Sequence, residues 1–270
     1  MTFMKFARKN KGARLGQHFL TGLWAARKLI EAVNVRPDET ILEIGPGKGA
    51  LTKELLATGA KVVAVEKDEA LADALLHAFA AEIASGALRV VVGDIRDFNP
   101  SKFGLVSATY VLAANIPYYI TGEIIRQFLE TDAQPRAMAL LVQKEVAERI
   151  VARDGKESIL SLSVKAYGTP KIVAKVSRGN FSPPPSVDSA ILLVDNISKV
   201  FFSHVSEKMF FKVVRAGFAS KRKFLANNLA VAFGKEAARA ALALSGIGEK
   251  ARAEDVPLQK WAEMARLLSK

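Results

Sequence analysis

The chain has no cysteine. That excludes disulfides and thiolate metal sites and suits a reducing compartment. Histidine is scarce as well: the three residues, His18, His77 and His204, are widely scattered, so no metal centre is expected. No apolar run reaches the length of a membrane span. The basic N-terminal stretch lacks the apolar core of a secretion signal. A cytoplasmic protein with no membrane association is the expectation. Acids are missing from the opening segment, where Lys5, Arg8, Lys9, Lys11 and Arg14 stand without a countercharge.

What is present is a chain of 270 residues, 50% hydrophobic. That is long enough for one large α/β domain and a small one, with a sizeable core. The net charge is +12. A second basic cluster, Lys221-Arg222-Lys223, lies near the other end, between Arg215 and Lys235. Basic clusters at both ends fit a polyanion such as nucleic acid; the plain alternative is a soluble basic surface.

Alternating apolar runs and amphipathic stretches place strands at Thr40–Gly45, Lys61–Glu66, Arg89–Asp94, Thr109–Ala114, Arg136–Gln143, Lys171–Val176 and Val187–Val194, with helices between them. The first strand ends in Gly45-Pro-Gly47-Lys-Gly49 and the second in Glu66. This is a βαβ unit with a glycine loop at the sheet edge where open α/β sheets bind ligands. Gly45 and Gly47 let the backbone approach a ligand, and the following helix offers N–H donors. The spacing G-x-G-x-G is not the dinucleotide fingerprint G-x-G-x-x-G, which counts against a nicotinamide oxidoreductase. It fits the loop of S-adenosylmethionine-dependent methyltransferases, and Glu66 is placed to accept from both ribose hydroxyls. Asp94, ending the third strand, suits an adenine N6 amine; a turn cap is its simpler role.

Asn115 ends the central strand, and Pro117 stops that strand because it has no N–H for the ladder. Tyr118 and Tyr119 follow. An amide, a rigid turn and an aromatic platform suit a planar base carrying an exocyclic amine. Phe181, in Asn180-Phe-Ser-Pro-Pro-Pro-Ser186, reads as an exposed ring or as a core plug. After residue 197 the pattern is helical only, with Lys221–Phe233 among the expected helices. The domains expected are 1–197, opened by a basic arm over 1–14, and a helical RNA-binding domain over 198–270.

Leu15-Gly-Gln-His-Phe-Leu20, Glu43-Ile-Gly-Pro-Gly-Lys-Gly-Ala-Leu-Thr52, Val65-Glu66, Gly93-Asp94, Asn115-Ile-Pro-Tyr118 and Phe181-Ser-Pro-Pro-Pro-Ser-Val-Asp-Ser-Ala190 resemble, in order, the motifs of the KsgA (RsmA) family of small-subunit (16S) rRNA adenine N6,N6-dimethyltransferases. Arg215–Asn228 and Arg252–Asp255 extend the similarity over nearly the whole chain. The resemblance implies a Rossmann-like, seven-stranded S-adenosylmethionine-dependent methyltransferase sheet with a small all-α C-terminal domain. It implies dimethylation of two adjacent adenosines near the 3′ end of the RNA, within the 30S particle, by a monomer that releases S-adenosyl-L-homocysteine. His18 and Leu20 would border the cofactor, Gly45 would lie on its methionine part, Glu66 on its ribose and Asp94 on its adenine. Asn115 would lie between cofactor and base. The Asn115 side-chain oxygen and the Ile116 carbonyl would accept the amine hydrogens, Pro117 would fix the turn, and Tyr118 and Phe181 would sandwich the base. Arg14, Lys221, Arg222 and Lys223 would meet phosphates. His18 stands where relatives often carry Asn. The rivals are a large-subunit adenine methyltransferase of the macrolide-resistance type, which shares Asn-Ile-Pro-Tyr, and a non-catalytic RNA-binding assembly factor.

Overall fold

The computed structural model describes residues 18–269; Arg14 and the arm over 1–14 lie outside them. The strands are β1 Phe19–Leu20, β2 Thr40–Ile44, β3 Lys61–Glu66, β4 Leu88–Val92, β5 Tyr110–Asn115, β6 Ala137–Gln143, β7 Thr169–Val176, β8 Phe181–Ser182 and β9 Ser189–Asp195. The helices are α1 Leu23–Val33, α2 Ala50–Leu56, α3 Glu69–Ala78, α4 Ala80–Ala84, α5 Thr121–Glu130, α6 Lys144–Val151, α7 Ile159–Tyr167, α8 Glu207–Gly217, α9 Leu225–Phe233, α10 Lys235–Leu244 and α11 Leu258–Leu267.

Seven strands form one sheet in the order β4-β3-β2-β5-β6-β9-β7. The β4-β3-β2-β5-β6 part is parallel, and β9 runs antiparallel to both β6 and β7. Its central strands are continuous apolar runs because helices cover both faces: β5 is buried from Tyr110 to Ala114 and β6 from Ala137 to Val142. β7, at the sheet edge, alternates exposed and half-buried residues and tolerates Pro170, as an edge strand can. The chain leaves β2 toward β3 on one side, and β5 lies on the other. The β2/β5 boundary is thus the switch point, where a crevice opens outside the strands' carboxyl ends.

Local signals explain the boundaries. Asp68 caps α3 through the N–H groups of Ala70 and Leu71. The helical stretch after Asp68 breaks at Phe79, giving α3 and α4. Thr121 is the first residue of α5, and its buried hydroxyl has no partner among the described residues.

The chain divides into two compact units. The first runs to Ala147 and resumes over Thr169–Ile197; the second combines Glu148–Gly168 with the chain from Ser198 onward. Sequence alone places 148–168 in the first domain. Its helix α7 packs instead with α8 and α11, and Tyr167 joins Phe202 and Phe211 in an aromatic cluster. Elsewhere in the second unit Trp261 is fully buried. A Cβ on Gly217 would stand 2.4 Å from the Trp261 ring, so α8 and α11 meet at a position only glycine fits. The helix expected from Lys221 begins at Leu225. Buried Asn228 donates to the carbonyls of Gly217 at 2.6 Å and Ser220 at 2.9 Å, holding 221–223 as a turn.

Candidate active site

Both sequence-predicted ligand loops lie at the switch point. β2 ends at Ile44, and Gly45 N–H continues the ladder to the Val65 carbonyl at 2.9 Å. Gly45 then adopts φ +65° with open space on its Cβ side, a backbone surface that a ligand can approach closely. Gly47 has φ +58°, and a Cβ there would stand 2.9 Å from the Phe19 ring. Phe19 thus lies on the glycine loop, and the Lys48 ammonium sits 5.1 Å from its ring centre.

Glu66 ends β3 almost fully buried. Its Oε2 accepts from Gly47 N–H at 3.0 Å and its Oε1 from Asp68 N–H at 2.9 Å. The carboxylate therefore pins the glycine loop from below and keeps one further acceptor position on each oxygen for ribose hydroxyls. Beneath it lies a residue that chemical reasoning on the sequence passed over. Glu43, in the middle of β2, is 1% exposed. Thr52 Oγ1 donates to its Oε2 at 2.7 Å, and its Oε1 has no partner among the described residues. Burial pushes its pKa up to about 8, opposed by the Thr52 bond and assisted by Glu66. An acid inside the apolar run Thr40-Ile-Leu-Glu-Ile44 was the available signal.

Asp94 stands at the end of β4, half-buried. It caps the following turn, accepting from Arg96 N–H at 3.0 Å. It also holds the Arg96 guanidinium, with Nε at 3.0 Å on Oδ1 and Nη2 at 2.6 Å on Oδ2. Lys67 Nζ lies 3.1 Å from Oδ2. The Arg96 hydrogen bonds, with Lys67, hold the carboxyl well below the usual carboxylate range against the opposing effect of burial. The turn is further fixed by Gln127 of α5, whose Nε2 donates to Ile95 O at 2.8 Å.

At the end of β5, Asn115 Nδ2 donates to the His18 carbonyl at 2.9 Å. This settles the amide's orientation, since only the NH2 can give that bond. Oδ1 is left as an acceptor with no partner among the described residues. His18 is held in turn by its Nδ1–H, which donates to Pro183 O at 2.8 Å. β1 and β8 pair antiparallel, with Leu20 opposite Phe181. That short ladder joins residues 19–20 to residues 181–182, next to the His18 carbonyl that Asn115 binds. Pro117 turns the chain after Ile116. The Tyr118 ring is half-buried, with its hydroxyl 2.6 Å from Ser189 Oγ and its centre 6.0 Å from the His18 ring. Tyr119 is 63% exposed.

The expectation of an exposed Phe181 that stacks on a base is corrected. The ring is 4% exposed and belongs to the core cluster with Leu20, Leu29 and Leu141. Its pairing with Leu20 turns it inward, so it backs the pocket as a plug. Thus Gly45, Gly47, Glu66, Asp94 and Asn115 gather at the carboxyl ends of the seven-stranded sheet in the first unit, and His18 joins them through Asn115. Leu20 lies in the separate β1-β8 ladder and packs in the core. Lys221, Arg222 and Lys223 form an exposed turn in the second.

A glycine loop at the switch point, an acid ending each of the next two strands and a strand-end amide facing an aromatic turn define a Rossmann-like methyltransferase with S-adenosylmethionine as methyl donor. The residues fit that donor: open backbone at Gly45 and a buried Glu66 carboxylate with acceptor positions to spare. The model of the ribosomal RNA adenine dimethylase family matches residues 8–270, and the chain belongs to that family. It is 42% identical over 256 residues to the ribosomal RNA small subunit methyltransferase A of Dehalococcoides mccartyi, covering 94% of this chain and 86% of that protein. Identity to the protein of the same name in Moorella thermoacetica is 37%, covering 94% and 91% of the two chains. Among solved structures, the 23S rRNA methyltransferase ErmE superposes with a TM-score of 0.75 at 26% identity, over 93% of this chain and all of that one. A dimethyladenosine transferase from Plasmodium falciparum shares the fold, with a TM-score of 0.75 at 23% identity over 92% and 96% of the two chains.

Proposed function

We propose that this enzyme transfers four methyl groups to N6 of two adjacent adenosines near the 3′ end of small-subunit rRNA, acting as a monomer on the 30S particle in the cytoplasm. The observation that carries the reading is the Asn115 amide, fixed by its bond to His18 with Oδ1 left to accept. An adenine N6 amine is a poor nucleophile because its lone pair is delocalised into the ring. Asn115 Oδ1 and the Ile116 carbonyl draw on its hydrogens and localise the lone pair. Pro117 keeps those two acceptors on one rigid turn. Tyr118, tethered at its hydroxyl, offers a ring face on which the base stacks, worth about 1–3 kcal/mol. The base leaves its own stack to reach that face. S-adenosylmethionine, when bound, would supply the methyl and leave as S-adenosyl-L-homocysteine, the N6 proton passing to solvent. Holding both reactants in line provides most of the acceleration.

Glu66 binds the ribose, Asp94 the adenine, and His18, Leu20, Gly45 and Gly47 line the donor's place. Lys221, Arg222 and Lys223, with Arg14, take phosphates; the net charge of +12 supports an RNA partner. Among the described residues no helix is long and apolar enough to cross a membrane. The fold alone does not choose between ribosomal subunits, because ErmE superposes as well as the dimethyladenosine transferase. The higher identity to small-subunit enzymes, at 42%, favours that substrate. Labelled methyl transfer to unmodified small and large subunits in parallel tests the choice. Label on small subunits is expected; label on large subunits alone would overturn the reading.

A further inference from the structure

Asp94 carries more donors than its proposed task leaves room for. A carboxylate offers about four acceptor positions, two on each oxygen. Oδ1 already receives the Arg96 N–H and Nε–H, both at 3.0 Å. Oδ2 receives Arg96 Nη2 at 2.6 Å and Lys67 Nζ at 3.1 Å. A further donor, such as an adenine amine, finds no position until one of these leaves. The Arg96 backbone N–H closes the turn and stays. The side chains can move: Lys67 is 63% exposed and Arg96 is 42% exposed. Arg96 also feels the charge of Glu123 and the hydroxyl of Tyr119. It therefore lies near Tyr119 of the aromatic turn, on which the proposed function seats the target base.

We propose that Arg96 is a positioning residue shared between the two substrates: the donor's adenine amine displaces its guanidinium fork from Asp94, and the freed fork binds a phosphate of the RNA flanking the target adenosine. The proposal rests on the reading of Asp94 as the adenine acceptor. Its consequence is coupling. Parting Arg96 from Asp94 lowers donor affinity when the donor binds alone. With RNA present, the fork's bond to phosphate offsets that loss, so each ligand tightens the other by the same factor. Lys67 lacks the fork and holds only Oδ2; it stays on Asp94 while Arg96 turns away to the phosphate. Arginine suits this exchange because its planar fork matches carboxylate and phosphate alike.

The test uses the full chain, S-adenosylhomocysteine as the non-reacting ligand, and its inosine counterpart, which lacks the N6 amine. Affinity for an unmodified small-subunit RNA fragment is measured with and without each. In the wild type, S-adenosylhomocysteine should tighten RNA binding at least about five-fold and steepen its salt dependence by about 0.7, one phosphate on a single strand. The inosine counterpart should do neither. Arg96→Met should abolish the coupling and bind S-adenosylhomocysteine several-fold more tightly, with an unchanged urea midpoint confirming the fold. Lys67→Met opens a position on Oδ2 without moving Arg96, so it should weaken the coupling; undiminished coupling there would overturn the displacement. Persistent coupling in Arg96→Met, or unchanged or weakened S-adenosylhomocysteine binding by it, would overturn the proposal. Asp94→Asn separates the two readings: if it leaves S-adenosylhomocysteine affinity untouched, the adenine assignment of Asp94 has failed, and the Arg96 proposal fails with it.

Discussion

Replacing Asn115 with alanine divides the account's claims most cleanly. The change removes one hydrogen bond, the 2.9 Å contact from Nδ2 to His18 O. Such a bond is worth about 1 kcal/mol net. The His18 carbonyl is only half-buried, so water can take its place, and the loss of stability should stay near that value. The change also removes Oδ1, the acceptor aimed at the target amine. Deleting one preorganised polar group at a reacting centre lowers turnover by about 10²–10³-fold, roughly 2.7–4 kcal/mol. Donor affinity should hardly move, because the groups assigned to ribose and adenine are Glu66 and Asp94, on other strands. Single-turnover methyl transfer at saturating RNA reads the first effect, calorimetry with S-adenosylmethionine the second, and a urea midpoint the third. Asn115→Asp keeps an acceptor oxygen but puts a carboxylate against the His18 carbonyl, so turnover should fall there too. Equal losses in turnover and donor affinity on Asn115→Ala would refute the reasoning and make Asn115 a donor-site residue.

Three further outcomes are expected. Gly47→Ala and Gly45→Ala both carry a left-handed φ penalty of about 1–2 kcal/mol, but only the first drives a Cβ to 2.9 Å from Phe19; urea midpoints should rank Gly47→Ala lower, and its donor affinity should fall. Glu43 holds its proton to about pH 8 when folded, against 4.5 ordinarily. The folded state thus binds more protons than the unfolded chain between those values, and stability falls as pH rises through that window. Glu43→Gln lacks this loss, so its midpoint should overtake that of the wild type increasingly toward pH 8; parallel pH profiles would contradict the placement. Neutralising Lys221, Arg222 and Lys223 together should weaken RNA binding and flatten its salt slope by about 2, and an unchanged slope would put the RNA elsewhere.

Much of the first unit is written locally in the chain. The βαβ periodicity, the glycine loop and the strand-end acids Glu66 and Asp94 need only short stretches of neighbouring residues to be read. Asn115 was legible because Pro117 has to end its strand. What stayed hidden depends on partners far along the chain. The β1/β8 ladder joins residues 19–20 to residues 181–182, two on each side, too short for any periodic signal. It also turned Phe181 inward, although prolines following an aromatic suggest a loop. Lys221-Arg-Lys223 has helix-forming composition, but Asn228 takes the carbonyls that a helix through the turn would use. The crowding of Asp94 by Lys67 and Arg96 is invisible in sequence, since Lys67 reaches it from the end of the neighbouring strand.

The most direct measurement is mass mapping of small-subunit RNA after exhaustive reaction with the purified enzyme and S-adenosylmethionine. The account predicts four methyl groups, as N6,N6-dimethyladenosine at two adjacent positions near the 3′ end. A single modified adenosine, methylation at another atom, or no product from an enzyme that binds the donor would contradict it.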